Sequence, residues 1–298
     1  MRVATSQFQT LINTSIQTNQ ERISYLTQQM ASGMRIQLPS DDPISSVRVS
    51  RLTREQSIVE QYIDNIASVK TRLMKNETSL SSIVGDFGEI RDMLVWAANG
   101  TNAPADLNAM TTSLTAYRDS IFYTANLKDQ EGRFMFSGTA TNTAPLVLAA
   151  GTYTYAGNTD TQTVVVGNGV NQAANVDVSG LETSLNKLTL AINALTAPGV
   201  NPNDPAVRAL VIDAMNGTDT AMDNMSSKIA TFGGAQNILT TLQNNHENVS
   251  LSNKIARSDI QKADMAEGMT ELNGYQLALQ ATYKAYAKIG NMSLFDVI

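Results

Sequence analysis

The amino-acid sequence predicts a mainly α-helical fold with a small β insert, arranged as an elongated, rod-like set of long antiparallel helices with coiled-coil termini. Apolar residues recur at steps of three and four along both ends of the 298-residue chain, which places them along one side of a helix. The middle of the chain is instead rich in Thr, Val, Asn and Gly, as strands and turns are. A helical pattern after Pro43 would extend roughly 85 Å, whereas a compact globule of this chain length has a radius of gyration of about 19 Å. We therefore predict a rod.

The first predicted helix covers residues 5 to 32 and ends at Gly33. Glycine suits the left-handed conformation that commonly follows the last helical residue. An extended link leads to Asp42, which we expect to cap the next helix, with Pro43 as its first residue. The apolar stripe of the first helix is predicted to form half of an assembly interface and consists of Ile12, Ile16, Ile23, Leu26 and Met30.

The central elements follow from a change in the period of the apolar residues. Helical spacing predicts one long helix over residues 43–100 and another over residues 104–128. Residues 133–137 alternate as a strand does, with a turn at Gly138, and are predicted to belong to a β-hairpin. Residues 139–180 contain short strand-like pieces separated by glycine turns, and helical spacing returns over residues 181–195.

The C-terminal part is predicted to be helical again. One helix begins at Pro205, and the last pattern starts after Gly233 and Gly234 and continues almost to the final residue. Chain ends are normally polar and frayed, so the apolar end of this chain indicates burial against other subunits. The C-terminal half of the predicted assembly interface consists of Met265, Met269, Leu272, Leu279, Tyr283, Tyr286, Leu294 and Phe295.

These elements predict three domains. The chain ends, residues 1–40 with 255–298, would form a terminal coiled-coil domain. Residues 41–138 with 181–254 would form a helical body, and residues 139–180 a distal, β-rich surface insert that assembly could do without.

Composition excludes several classes of function. The net charge is −6, and residues 134–186 contain no Lys or Arg, which argues against nucleic acid and against a phosphate-binding surface in that segment. The chain has no cysteine and one histidine, so thiolate metal sites and most histidine-dependent catalysis are excluded. It lacks a run of eighteen apolar residues and the pattern of a cleavable signal peptide at its start. We therefore expect no enzyme activity, no cofactor, no metal and no membrane insertion.

Two features could be mistaken for catalytic groups. Asp41 and Asp42 are adjacent carboxylates, but neighbouring residues at a helix start do not face one site, so a capping role is the better interpretation. His246 lies in the polar stretch NNHEN, which predicts a solvated side chain.

Two segments resemble a known family. Residues 26–43, LTQQMASGMRIQLPSDDP, resemble the N-terminal signature of bacterial flagellins and their junction proteins, and residues 258–298 resemble the matching C-terminal signature. Pro43 after the paired aspartates, the segment GRFMFSG at residues 132–138 and the ending MSLFD at residues 292–296 resemble the hook-associated branch of this family. The likeness covers both ends and the helical body, whereas the β insert resembles nothing known.

The resemblance implies a structural protein of the hook–filament junction in the bacterial flagellum. It implies export through the flagellar type III apparatus with the help of a chaperone, and an extracellular location. The implied partners are further copies of the chain, hook-associated protein 1 and flagellin. Two alternatives remain open: a short flagellin, or an axial protein whose insert is a surface adhesin that uses Tyr153 and Tyr155.

Overall fold

The computed structural model describes residues 2–201 and 203–290, and this part of the chain forms six helices and four short strands. The prediction of a mainly α fold with a small β insert is confirmed. Across the described residues, every helix is too short or too polar to span a bilayer. In chain order the elements are α1 (Arg2–Ser32), α2 (Pro43–Ala97), α3 (Pro104–Ala125), β1 (Leu146–Ala149), β2 (Thr152–Tyr155), β3 (Thr163–Gly167), β4 (Val170–Ala173), α4 (Leu181–Thr196), α5 (Pro205–Gln261) and α6 (Met265–Gly290).

Three of the helices begin at a proline. Pro43, Pro104 and Pro205 are the first residues of α2, α3 and α5. Proline is favoured there because its missing N–H would have no partner within the helix and its φ is already helical. Before α5, the carboxylate of Asp204 also accepts a hydrogen bond from the backbone N–H of Ala206 at 2.9 Å.

The last helical region is divided at a different place from the one predicted. Helix α5 continues through Gly233 and Gly234, and an added Cβ at either glycine would meet no atom within 4 Å. The interruption comes instead before Met265, where the carboxylate of Asp264 accepts hydrogen bonds from the backbone N–H groups of Ala266 and Glu267 at 2.8 and 3.2 Å. A helix cap therefore marks the boundary, whereas the glycine pair is tolerated within the helix.

The strands form two antiparallel hairpins. Strand β1 pairs with β2, with Leu146 opposite Tyr155, and β3 pairs with β4. The predicted strand over residues 133–137 is not formed, because Phe134 and Ser137 make only isolated bridges to other segments. The glycines on either side, Gly132 and Gly138, have φ angles of +79° and +68°, and the chain turns at both.

The described residues divide into two compact units. Unit 1 takes its residues from Met1–Ile58 and Asn248–Ile298, and unit 2 is Val59–Glu247. Helices α2 and α5 contribute residues to both. Residues 139–180 fall within unit 2, and the division of the chain into three domains stays a prediction.

Unit 2 contains a large apolar core built from helices and from the β segment. Leu146, Tyr153 and Val166 are buried in it together with residues of α2 to α5. Asn126 exchanges two hydrogen bonds of 3.0 Å with the backbone of Leu146, and Asn186 exchanges two, of 2.7 and 2.8 Å, with the backbone of Tyr153. The β segment is thus anchored in the core, and the structure does not favour its removal without loss of stability.

Candidate assembly surface

The two terminal helices form an antiparallel pair within unit 1. Ile12 and Leu26 of α1 are buried. Near one end of the pair, the side-chain amide of Gln20 donates a hydrogen bond to the Tyr283 hydroxyl at 3.1 Å. Near the other end, Gly268 lies against Met30, and a Cβ at the glycine would be 3.6 Å from Met30 Cγ.

The predicted stripe of α1 coincides with its less exposed side. Ile12 and Leu26 are buried, and Ile16, Ile23 and Met30 are half-buried. The steps between these five residues are four, seven, three and four, which keep their side chains on one face of a helix. The structure therefore brings the whole N-terminal set to the side that is partly covered in a single molecule.

The less exposed side of α6 is displaced from the predicted stripe. It consists of Gly268, Leu272, Tyr275, Leu279 and Thr282, which also follow steps of four and three. Two predicted residues, Leu272 and Leu279, belong to it. The other predicted residues within the described part of α6 are 43–52% exposed; they are Met265, Met269, Tyr283 and Tyr286. Leu294 and Phe295 lie outside the described residues.

Unit 1 leaves many large apolar side chains in contact with solvent. Among its described residues only Ile12, Leu26 and Ile36 are buried apolar residues. Leu11 and Leu277, on α1 and α6, are 69% and 66% exposed, and they were not predicted because they lie off the periodic stripes. Further exposed residues of the unit are Phe8, Met34, Leu38, Ile44, Val47, Ile58, Val249, Leu251 and Ile255. A surface of this kind is typical of a protein that buries it against partners.

The links between the helices of unit 1 lie side by side and are held by main-chain hydrogen bonds. The backbone N–H of Arg35 donates to the carbonyl of Gln261 at 2.6 Å, and that of Ala263 donates to the carbonyl of Gly33 at 3.0 Å. We call residues 33–42 and 261–264 the terminal joint. Its hydrogen bonds connect the α1–α2 link to the α5–α6 link, and they hold together the ends of α1 and α6 that adjoin these links.

Two of the three predicted capping residues, Gly33 and Asp42, lie in the terminal joint. Gly33 has a φ of +70°, which favours glycine. The Asp42 carboxylate accepts a hydrogen bond from the backbone N–H of Ser45 at 3.0 Å and pairs with the Arg35 guanidinium at 3.2 Å. The hydrogen bonds from Ser45, and then the Arg35 charge, lower the pKa of Asp42 to about 2. Pro43 follows as the first residue of α2.

Asp41 is engaged in the same turn and does not share a ligand site with Asp42. Its carboxylate accepts hydrogen bonds from the backbone N–H groups of Leu38 and Gln37 at 2.8 and 3.0 Å. These bonds lower the pKa of Asp41. Both carboxylates thus stabilise the link before α2, and neither has the raised pKa expected of a general acid near neutral pH.

His246 and the two insert tyrosines are less accessible than the sequence suggested. His246 is half-buried, its ring lies 5.3 Å from that of Tyr62, and its Nε2 donates to the Val166 carbonyl at 2.9 Å. Tyr153 is buried, and the Tyr155 hydroxyl bonds the carbonyls of Phe136 and Asn158. Burial raises the pKa of Tyr155 to about 12. The tyrosines therefore do not offer the adhesive surface of the adhesin alternative.

Comparison with known proteins agrees with this architecture. Residues 3–141 match the bacterial flagellin N-terminal helical region, and residues 215–298 match the C-terminal helical region of the same proteins. The chain is 34% identical to a solved structure described as a flagellar hook-associated protein from Vibrio parahaemolyticus, with a TM-score of 0.70 over 74% of this chain and 100% of that one. The chain belongs to the bacterial flagellin family.

Curated members of the flagellin family are similar along nearly the whole sequence. Flagellar hook-associated protein 3 of Salmonella typhimurium is 27% identical over 315 aligned positions, which cover 100% of this chain and 99% of the relative. Flagellar hook-associated protein 3 of Escherichia coli is 28% identical, and the alignment covers 91% of each chain. The family signatures noted in the sequence thus extend to a likeness of the full chain.

Proposed function

We propose that this protein is a structural subunit of the bacterial flagellum that forms the hook–filament junction. The curated relatives with full-length similarity are flagellar hook-associated proteins 3, and members of the flagellin family are structural proteins of the flagellum. The observation that carries the proposal is the exposed apolar surface of unit 1, because a subunit that works inside a polymer can leave such a surface uncovered until it assembles.

The proposed partners follow from the position of such a subunit. Further copies of the chain would pack side by side through unit 1, hook-associated protein 1 would lie on one side of the layer, and flagellin on the other. The protein would reach this extracellular position through the flagellar type III export apparatus with a dedicated chaperone and without a cleavable signal peptide. The exposed apolar residues of α6 are a suitable surface for a chaperone to cover before export.

The test is a deletion of the gene in the bacterium that encodes it. We expect bare hooks on the cells and unpolymerised flagellin in the medium, both reversed by the full chain. A chain that lacks residues 265–298, and so lacks α6, should not restore filaments. Normal filaments in the deletion strain would contradict the proposal.

A further inference from the structure

A cavity of about 490 Å³ lies in unit 2, away from the terminal helices. It is bounded by the middle of α2, by the turn segment of residues 129–141 and by side chains that flank β3 and β4. Its volume falls within the range of pockets that bind small molecules in proteins. The proposed role at the junction makes no use of it.

The cavity contains two cationic side chains that no carboxylate neutralises. Arg133 is paired with Glu131 and with Asp129, and these are the two acidic residues of the lining. Arg72 and Lys75 also line the cavity, and the ion pairs of the described residues include neither of them. The three cationic and two acidic side chains of the lining sum to a net charge of +1, and Arg72 and Lys75 are its cations without an ion-pair partner.

The two cations lie on one face of a helix and one of them is held in place. Arg72 and Lys75 are three residues apart on α2, a spacing that puts their side chains next to each other. The Arg72 guanidinium donates to the side-chain carbonyl of Gln162 at 3.2 Å. The backbone N–H of Gln162 in turn donates to the Asn175 side chain at 2.7 Å. An oriented guanidinium beside an ammonium group is suited to a carboxylate.

The opposite wall is rigid where the chain turns. Gly138 has a φ of +68°, and an added Cβ there would clash with the carbonyl of Asn158. The Asn158 side chain accepts a hydrogen bond from the backbone N–H of Thr139 at 2.8 Å and donates one to the Thr139 hydroxyl at 2.7 Å. The cavity wall is therefore pre-organised, which reduces the entropy lost when a ligand binds.

The remaining lining suits hydroxyl groups and the apolar face of a ring. It includes the side-chain amides of Gln130 and Gln162, the Thr141 hydroxyl and the aromatic ring of Phe134. Asn76, buried at the edge of the lining, has no hydrogen-bond partner for either atom of its amide. Side-chain amides and hydroxyls can donate hydrogen bonds to the hydroxyl groups of a sugar and accept hydrogen bonds from them. A simple anion would bind to the two cations and leave this part of the lining without a role.

We propose that the cavity binds a carboxylate-bearing sugar of the hexuronic-acid class, with the carboxylate held between Arg72 and Lys75. Residues 134–186 carry no Lys or Arg, so the sequence excludes an anion site made by that segment alone. The fold supplies the missing charge from α2. The site is independent of the junction role, and either can fail without the other.

The test is a titration of the full chain with D-galacturonic acid, followed by saturation-transfer NMR, with D-galactose as the neutral control. Binding of the acid and at least tenfold weaker binding of galactose are expected, because only the acid can use the two cations. The variants R72Q and K75Q should each weaken binding at least tenfold. The matched control is R54Q, on the same helix but outside the cavity, and it should bind as the native protein does.

Three results of this titration would contradict a hexuronic-acid site. Equal binding of both sugars, no binding of the acid at millimolar concentration, or an R54Q loss as large as that of R72Q would overturn the proposal. Circular dichroism melting of each variant establishes that a loss of binding does not come from a loss of folding.

Discussion

Leu277→Asp is the most direct perturbation of the surface on which the proposed function depends. Leu277 lies in the middle of α6 and is 66% exposed in a single molecule. Full burial of a leucine contributes about 1.5–3 kcal/mol, so covering the exposed two-thirds would contribute about 1–2 kcal/mol. That corresponds to roughly a five- to thirtyfold change in an association constant. Desolvation of an unpaired carboxylate would cost several kcal/mol more.

The isolated subunit should be nearly unaffected by the same change. A substitution at an exposed helical position usually alters stability by about 0.5 kcal/mol or less. We therefore expect circular dichroism melting of the purified variant to match the native protein. In the deletion strain, however, electron microscopy should find few filaments, and immunoblots should find the variant and flagellin in the medium. Leu277→Ala, which loses only the apolar contact, should give an intermediate result.

Leu190→Asp provides the matched control. Leu190 is 53% exposed on α4, a helix of unit 2, so the substitution has the same chemistry on a similar exposed helical surface. We expect it to leave filament formation unchanged. The reasoning would be refuted if Leu277→Asp restored normal filaments, or if Leu190→Asp blocked them to the same degree.

Three further predictions test the fold. Gly268→Ala should raise the melting temperature, since the added Cβ would make ordinary contact with Met30 and loss of a helical glycine contributes about 0.5–1 kcal/mol; a lower value would contradict the space that the structure leaves for a Cβ beside Met30. The pKa of Asp42, about 2, lies below its ordinary value of 3.8, so its stabilisation is present above that value and disappears as the pH falls through about 2. Acid titration followed by circular dichroism should reveal this loss in the native protein but not in Asp42→Asn. Leu146→Ala should lower the free energy of unfolding by about 2–5 kcal/mol, whereas Leu148→Ala, at an exposed position, should change it by about 0.5 kcal/mol or less. Equal small effects in urea denaturation would show that the β segment folds independently of the core.

Local features of the sequence predicted most of the elements, because the interactions that start and end helices involve residues close together in the chain. Proline at a first helical position and the aspartate before it identified the start of α2. The period of three and four selected the side of α1 that faces α6 in the structure. Where two local signals competed, the prediction was wrong: Gly233 and Gly234 suggested a helix end, but the cap at Asp264 marks it.

Local features of the sequence could not predict the contacts between segments that are distant in the chain. The predicted stripe of α6 included Met265 and Met269, yet the less exposed face runs through Gly268, which lies against Met30 of α1. No apolar pattern selects a glycine for such a position. Likewise, Arg72 and Gln162 are 90 residues apart in the chain, and only the folded core of unit 2 brings them together at the cavity.

The sequence by itself determined the mainly helical fold, the family and the apolar character of both chain ends, since these depend on residue type and spacing within a few turns of helix. Only the tertiary structure decided which apolar side chains the terminal helices cover for each other and which, like Leu277, they leave exposed. It also decided that the β segment belongs to the core of unit 2, through Leu146 and Tyr153. The physical reason is that burial depends on which surfaces meet in three dimensions, and residues far apart in the chain supply those surfaces.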